Sequence, residues 1–206
     1  MKQILKLFPE VVYTKILDID IQPYIDPIKQ LEWTKSGHLN NRGEVSEASV
    51  NLYIFEEELF KPLADELMKE FNLFKNDILN YQSNEFLYTT SWGTKTEPLE
   101  QSEWHNHNNC LYSGIFYMQV GDNTGNLMFQ DFNKKNLSLT PSSYNEYNSI
   151  SWQIEPKDKM LVLFPSHLYH KIGRNMNKDK ARYSIAFNLM PMGDMGKGDS
   201  KLILDI

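Results

Sequence analysis

The sequence predicts a mainly β domain with N-terminal helices, built as a double-sheet jelly roll with the helices packed outside it. Three observations predict this class. Apolar residues recur at helical spacing at Leu59, Leu63, Leu67 and Phe71, with Phe60, Ala64 and Met68 widening the stripe. After Asn84 the period changes, and short apolar or aromatic runs alternate with turn signals through the rest of the chain. The length of 206 residues suits one domain, burying on the order of 70% of the surface of its unfolded chain. The expected organisation is a single domain over 1–206, with a strand and helical support at 1–84, the β core at 85–190 and a tail at 191–206.

The opening run Leu7-Phe8-Pro9-Glu10-Val11-Val12-Tyr13-Thr14-Lys15-Ile16-Leu17 is rich in β-branched and aromatic residues and reads as a strand with proline near its start. Asp26-Pro27 reads as a helix cap followed by proline at the first helical position, leading into Ile28, Leu31 and Trp33. Residues 36–49 are polar and read as a loop. A helix is expected from Phe55 to about Asn80, with Glu56, Glu57, Glu58, Asp65, Glu66 and Lys69 on its wet face. Strands are then expected at 85–92, 103–108, 113–120, 126–131, 150–154, 160–164, 169–172 and 182–190, with Gly121-Asp122-Asn123-Thr124-Gly125 as a hairpin connection. The stretch Pro191 to Ser200 reads as mobile, and Leu202-Ile203-Leu204 as a last strand or an association surface.

Composition removes several classes of function. A net charge of −6 and the lack of a long Lys/Arg run argue against general nucleic-acid binding. The single cysteine, Cys110, rules out an intramolecular disulfide and a Cys-rich zinc or iron–sulfur site. With no apolar run of membrane-spanning length and no signal-peptide pattern at Met1-Lys2-Gln3-Ile4-Leu5-Lys6, the expectation is a cytoplasmic protein without a membrane partner. Abundant Asn and Lys with little Ala suit AT-rich coding, as in a phage or a low-GC bacterial host. A homodimer is a generic expectation only.

Four of the five histidines fall in two short windows, Trp104-His105-Asn106-His107 and Ser166-His167-Leu168-Tyr169-His170. Histidines at i and i+2 of an extended strand point to one side of a sheet and can grip one metal ion together. A third from a distant strand completes one face of a coordination shell and leaves positions open for substrate and oxygen, although the usual non-haem Fe(II) triad has two His and one carboxylate. In the second window His167 falls in the turn after Phe164-Pro165, and His170 starts the next strand, which makes His170 the better ligand and His167 a rim residue. Arg182 follows His170 by twelve residues and sits in a core-strand setting, where its planar fork suits a carboxylate. Ser184 shares its face and adds a hydroxyl.

Together with Ser91-Trp92, Ser113-Gly114-Ile115-Phe116-Tyr117, Gly125 to Asp131 and Arg182-Tyr183-Ser184-Ile185-Ala186-Phe187-Asn188, these motifs resemble the 2-oxoglutarate- and Fe(II)-dependent oxygenases common in marine phages and bacteria. The resemblance covers about residues 85–190. It implies a double-stranded β-helix, the cupin-like form of the jelly roll, in which His105, His107 and His170 hold Fe(II), Arg182 and Ser184 anchor the distal carboxylate of 2-oxoglutarate, and Tyr117 hydrogen-bonds the cosubstrate. It implies oxidative decarboxylation of 2-oxoglutarate coupled, with O2, to hydroxylation of a small molecule or a protein side chain. Related oxygenases usually carry an acidic residue where this chain has His107, so Asp131 and Glu103 stand as alternative carboxylate ligands. Trp92, Trp104, Tyr88 and Tyr112 are candidates to line the substrate side.

Two other readings stay open at the level of sequence. One is a cupin-like three-histidine metalloenzyme that does not use 2-oxoglutarate. The other is a non-catalytic jelly roll that binds a partner or serves in a virion. Arg182-Tyr183-Ser184 favours the oxygenase, because a simple metal site has no use for a carboxylate anchor. The polar loops 36–49 and 132–149, which include His38, Tyr144 and Tyr147, are candidate lids over the site.

Overall fold

Side chains alternating along the central strands divide the interior into two compartments, one packed with helices and one holding polar groups. The computed structural model describes residues 3–5, 7–36, 45–81, 84–132 and 140–205. Its strands are β1 (Tyr13–Ile16), β2 (Trp33–Lys35), β3 (Glu47–Ser49), β4 (Phe86–Thr96), β5 (Tyr112–Gln119), β6 (Leu127–Gln130), β7 (Ser151–Ile154), β8 (Met160–Pro165), β9 (His170–Ile172), β10 (Arg182–Pro191), β11 (Gly193–Met195) and β12 (Leu202–Leu204). The α-helices are α1 (Gln22–Lys29) and α2 (Lys61–Leu73).

A seven-stranded antiparallel sheet runs β1-β8-β5-β10-β4-β3-β2, and a smaller sheet runs β7-β6-β9. This is the expected mainly β, double-sheet jelly roll of the double-stranded β-helix type, with helices outside. On the outer face of the large sheet, Phe116, Leu161, Leu163, Ile185, Phe187 and Leu189 pack against Leu63, Leu67 and Phe71 of α2. On its inner face, Ile115, Tyr117, Val162, Phe164 and Ala186 meet Leu127 and Phe129 of the small sheet. The i, i+4 spacing of Leu63, Leu67 and Phe71 puts all three on one helical stripe, and each is at most 1% exposed. The Phe187 ring lies across Gly114, its partner on the neighbouring strand, and leaves no room for a side chain there, since an added Cβ would lie 2.1 Å from that ring.

The structure corrects several expected boundaries. The long helix is confined to α2, flanked by a 3₁₀ turn at Ile54–Glu56 and a π-helical turn at Phe74–Ile78. Helix α1 starts at Gln22 rather than at an Asp26 cap and carries Pro27 inside it, while Trp33 lies in β2. The opening strand is only β1, and the 103–108 segment forms no regular strand but a single bridge between His105 and His170. The Gly121–Gly125 turn joins β5 to β6, which lie in different sheets, so it is a crossing between sheets and not a hairpin. The tail pairs as an antiparallel hairpin, with Gly193 opposite Leu204. His38, with residues 37–44 of the first candidate lid and 133–139 of the second, lies outside the described residues.

Candidate metal and cosubstrate site

His105 and His107 come from the segment between β4 and β5, and His170 opens β9. Backbone hydrogen bonds fasten the two windows to each other. His105 N donates to His170 O at 3.0 Å, His170 N donates back to His105 O at 2.8 Å, and His107 N donates to Ser166 O at 3.0 Å. One nitrogen of each ring lies within 4.8 Å of the others. The ring centroids are 4.3 Å apart for His105 and His170, 5.0 Å for His107 and His170, and 5.2 Å for His105 and His107.

In each ring Nδ1 is already committed. His105 Nδ1–H donates to the Glu103 carbonyl at 2.8 Å, and His170 Nδ1–H donates to the Leu168 carbonyl at 2.9 Å. His107 Nδ1 lies 2.6 Å from Asn188 Oδ1 and 3.0 Å from Ser113 Oγ. A ring that donates through Nδ1 keeps a bare Nε2, which is the nitrogen left for a metal ion. Burial holds the pKa of His107 down to about 4, reinforced by the neighbouring His105 and opposed by the Asn188 hydrogen bond. Burial, then the charges of His105 and His107, pushes His170 well below the ordinary histidine range. Both rings are therefore neutral near pH 7, the form that ligates.

Neither proposed carboxylate joins this cluster among the described residues. Glu103 contributes its backbone carbonyl to His105. His167 sits outside the site, its Nε2 3.0 Å from Glu10 Oε1 on the surface. Phe129 and Phe164 flank the His170 ring, and the Trp92 indole stands 5.6 Å from His107. Tyr88 and Tyr112 face the opposite way, packed among Phe55, Phe71, Phe74 and Phe187 under α2, so they do not line the site. Trp104 packs on Phe132 with Lys171 over its ring.

Deeper along β10, on the same inner face, Arg182 is fully buried. Its Nη1 donates to the carbonyls of Thr124 (3.1 Å) and Gly125 (2.9 Å), and Nη2 donates to Thr96 Oγ1 (2.9 Å). Its Nε has no partner, and no described carboxylate pairs with it. The Tyr117 ring lies 5.8 Å from the guanidinium carbon, and its buried hydroxyl is also without a partner. Burial raises the Tyr117 pKa, against a smaller opposing effect of Arg182, so the phenol is protonated and able to donate. Ser184 Oγ is 2.6 Å from Thr94 Oγ1. A buried cation without a described counter-ion is costly, so this end of β10 has the donor set for an anion.

Asn188, which was not singled out in the sequence as a site residue, sits beside the histidines. Its signal was legible in principle, since Arg182, Ser184, Ala186 and Asn188 fall at period two on one face of a strand.

Residues 90–188, just under half of the chain, match a protein-family model described as "Putative 2OG-Fe(II) oxygenase". No curated protein matches the sequence. Among solved structures, the chain is similar to HygX from Streptomyces hygroscopicus with nickel and 2-oxoglutarate bound, at TM-score 0.61 and 12% identity over 87% of this chain and 82% of that one. It is similar to a prolyl hydroxylase from Trichoplax adhaerens in complex with a hypoxia inducible factor peptide, at TM-score 0.59 and 14% identity over 88% and 83%. It is also similar to the epimerase SnoN from nogalamycin biosynthesis in complex with Fe3+, alpha ketoglutarate and nogalamycin RO, at TM-score 0.64 and 13% identity over 88% and 78%. At these identities the likeness shows a shared fold.

Proposed function

We propose that this chain is a member of the 2-oxoglutarate- and Fe(II)-dependent oxygenases, with His105, His107 and His170 as metal ligands and Arg182, Ser184 and Tyr117 as the cosubstrate anchor. The observation that carries the proposal is the pairing of two features along one face of β10, where Asn188 meets His107 at one end and Arg182 lies at the other. Three imidazoles converge at one end, and a buried guanidinium without a described carboxylate partner stands further along the same face. A three-histidine metalloenzyme without a keto acid has no use for the second feature.

The residues fit the groups this family uses. Bound iron and 2-oxoglutarate would supply the oxidising chemistry, coupling decarboxylation of the keto acid to O2-dependent oxidation of a substrate. Arg182, which is fully buried, would neutralise the distal carboxylate where a charge-assisted pair is strong. The unpartnered Tyr117 hydroxyl has a proton to donate to a carboxylate oxygen, and Ser184 offers a second hydroxyl. Ile115, Leu127, Phe129, Phe164 and Ala186 pack with Tyr117 into one buried apolar cluster beside these groups. A third neutral imidazole in place of a carboxylate leaves the metal centre one unit more positive than the usual triad, which favours a dianionic cosubstrate. Trp92 beside His107 stands on the substrate side, and the substrate class is a small molecule or a protein side chain.

The test is an anaerobic titration of Fe(II) into the metal-free protein, with and without 2-oxoglutarate, followed by visible absorption. The proposal expects the charge-transfer band of a keto acid chelated to ferrous iron, lost in His105→Ala and retained in His167→Ala. Iron binding with no such band would select the cupin-like metalloenzyme instead. Failure to bind iron would leave a binding or structural role for the jelly roll.

A further inference from the structure

The polar network behind His107 spans three adjacent strands. Thr90 of β4, Asn188 of β10 and Ser113 of β5 are cross-strand partners, so their side chains stand in one row on the inner face. Asn188 Nδ2 donates to Thr90 Oγ1 at 2.9 Å, and Ser113 Oγ donates to Asn188 Oδ1 at 2.8 Å. Ser113 Oγ also lies 2.9 Å from Ser166 Oγ, whose backbone carbonyl accepts from His107 N. Against β4, the pairing register of β10 shifts between Asn188 and Leu189, an irregularity of the kind that re-aims a side chain.

From this we infer that Asn188 is the positioning residue that makes His107 a metal ligand, by fixing which ring nitrogen carries the proton. With its amide nitrogen engaged by Thr90, Asn188 presents oxygen to His107 Nδ1 at 2.6 Å. An unprotonated Nδ1 there would face that oxygen lone pair to lone pair, so the proton stays on Nδ1 and Nε2 stays bare. The inference rests on the proposal that His107 binds the metal. It adds that the electron donation a carboxylate ligand would supply directly is supplied here at one remove, through a neutral amide oxygen. An acidic side chain at 188 would then strengthen the donation without entering the shell.

The test uses the full chain as wild type, Asn188→Leu, Asn188→Asp, Thr90→Val and His107→Ala, each checked for folding by circular dichroism. Metal affinity is measured by competition for Fe(II) without cosubstrate, and the charge-transfer band is recorded with 2-oxoglutarate. Asn188→Leu is expected to weaken metal binding roughly 10- to 100-fold, the usual effect of removing a ligand's hydrogen-bond partner. Asn188→Asp is expected to keep affinity within a few-fold of wild type and move the band to longer wavelength, because a more electron-rich iron gives up charge more easily. Should Asn188→Leu fail to fold, Thr90→Val, which frees the amide to turn, is expected to weaken binding in the same direction. A merely structural Asn188 would lower stability and leave affinity and band unmoved in the folded variants, and that result overturns the inference. Wild-type metal affinity in His107→Ala would overturn the ligand assignment beneath it.

Discussion

Replacing Arg182 with methionine separates stability from cosubstrate binding, because the guanidinium serves them in opposite directions. Arg182 donates three hydrogen bonds but has no described counter-ion. A hydrogen bond from a charged group is worth about 1.5–3 kcal/mol, and burying a charge costs several kcal/mol even after relaxation. These largely cancel, so the methionine variant should melt within a few degrees of wild type. Cosubstrate binding has no such cancellation. Losing one partner of a buried charge pair costs about 2–5 kcal/mol, which is roughly a 30- to several-thousand-fold weaker Kd at about 1.4 kcal/mol per tenfold. The assay is thermal melting with Fe(II) under anaerobic conditions, with and without 2-oxoglutarate. At about 100 times its Kd a ligand stabilises by about 2.7 kcal/mol, roughly 5–11 °C for a domain of this size. Wild type should show that rise and Arg182→Met at most about a third of it at the same concentration. An unchanged ligand-induced rise in the variant would refute Arg182 as the carboxylate anchor.

Other perturbations report on neighbouring parts of the molecule. Tyr117→Phe removes a buried hydroxyl that has no partner, so melting of the ligand-free protein should hold or rise slightly. The Kd for 2-oxoglutarate should meanwhile weaken by the worth of one hydrogen bond, about 0.5–1.5 kcal/mol. Gly114→Ala drives a methyl into the Phe187 ring and should destabilise by about 1–3 kcal/mol, the usual cost of overpacking, readable in denaturant melts. Burial alone would raise the Glu70 carboxyl, but hydrogen bonds from Lys15 and Tyr13 outweigh it and hold its pKa below the ordinary 4.5. That stability is present above pH 4.5 and disappears as pH falls through the lower folded value. Melting temperature plotted against pH should therefore drop less steeply on the acid side in Glu70→Gln than in wild type.

What the sequence disclosed depended on how local each determinant was. The helical stripe of Leu63, Leu67 and Phe71 and the short apolar runs that form β5, β8 and β10 are written in neighbouring residues, and all appear in the structure. Element ends were harder to place, because tertiary contacts set them. Trp33 left the expected helix because β2 pairs with β3, and the Gly121 turn crosses between sheets because β6 pairs with β7 and β9 rather than β5. In the site, His105, His107 and His170 announced themselves as rare residues in short windows, and the structure gathers those three. Tyr88 and Tyr112 misled because an aromatic in a sheet carries no label for the face it occupies. Asn188 was overlooked because one amide among many asparagines acquires meaning only from Thr90 and Ser113, which are distant in sequence and adjacent across the sheet.

Strand β10 is a partition wall shared by two rooms. Arg182, Ser184, Ala186 and Asn188 face the small sheet and the histidines, while Tyr183, Ile185, Phe187 and Leu189 face the helices. A slip of one residue in its pairing would send every tenant to the wrong side, so no drift of register can tune the chemistry without emptying the core. Sequence change must come one position at a time, and its consequences should alternate. A saturation scan along this strand should show a beat of two, with odd positions scored by melting temperature and even positions by affinity for metal or keto acid. Such a trace would map the boundary between foldability and chemistry to the width of a single β-strand.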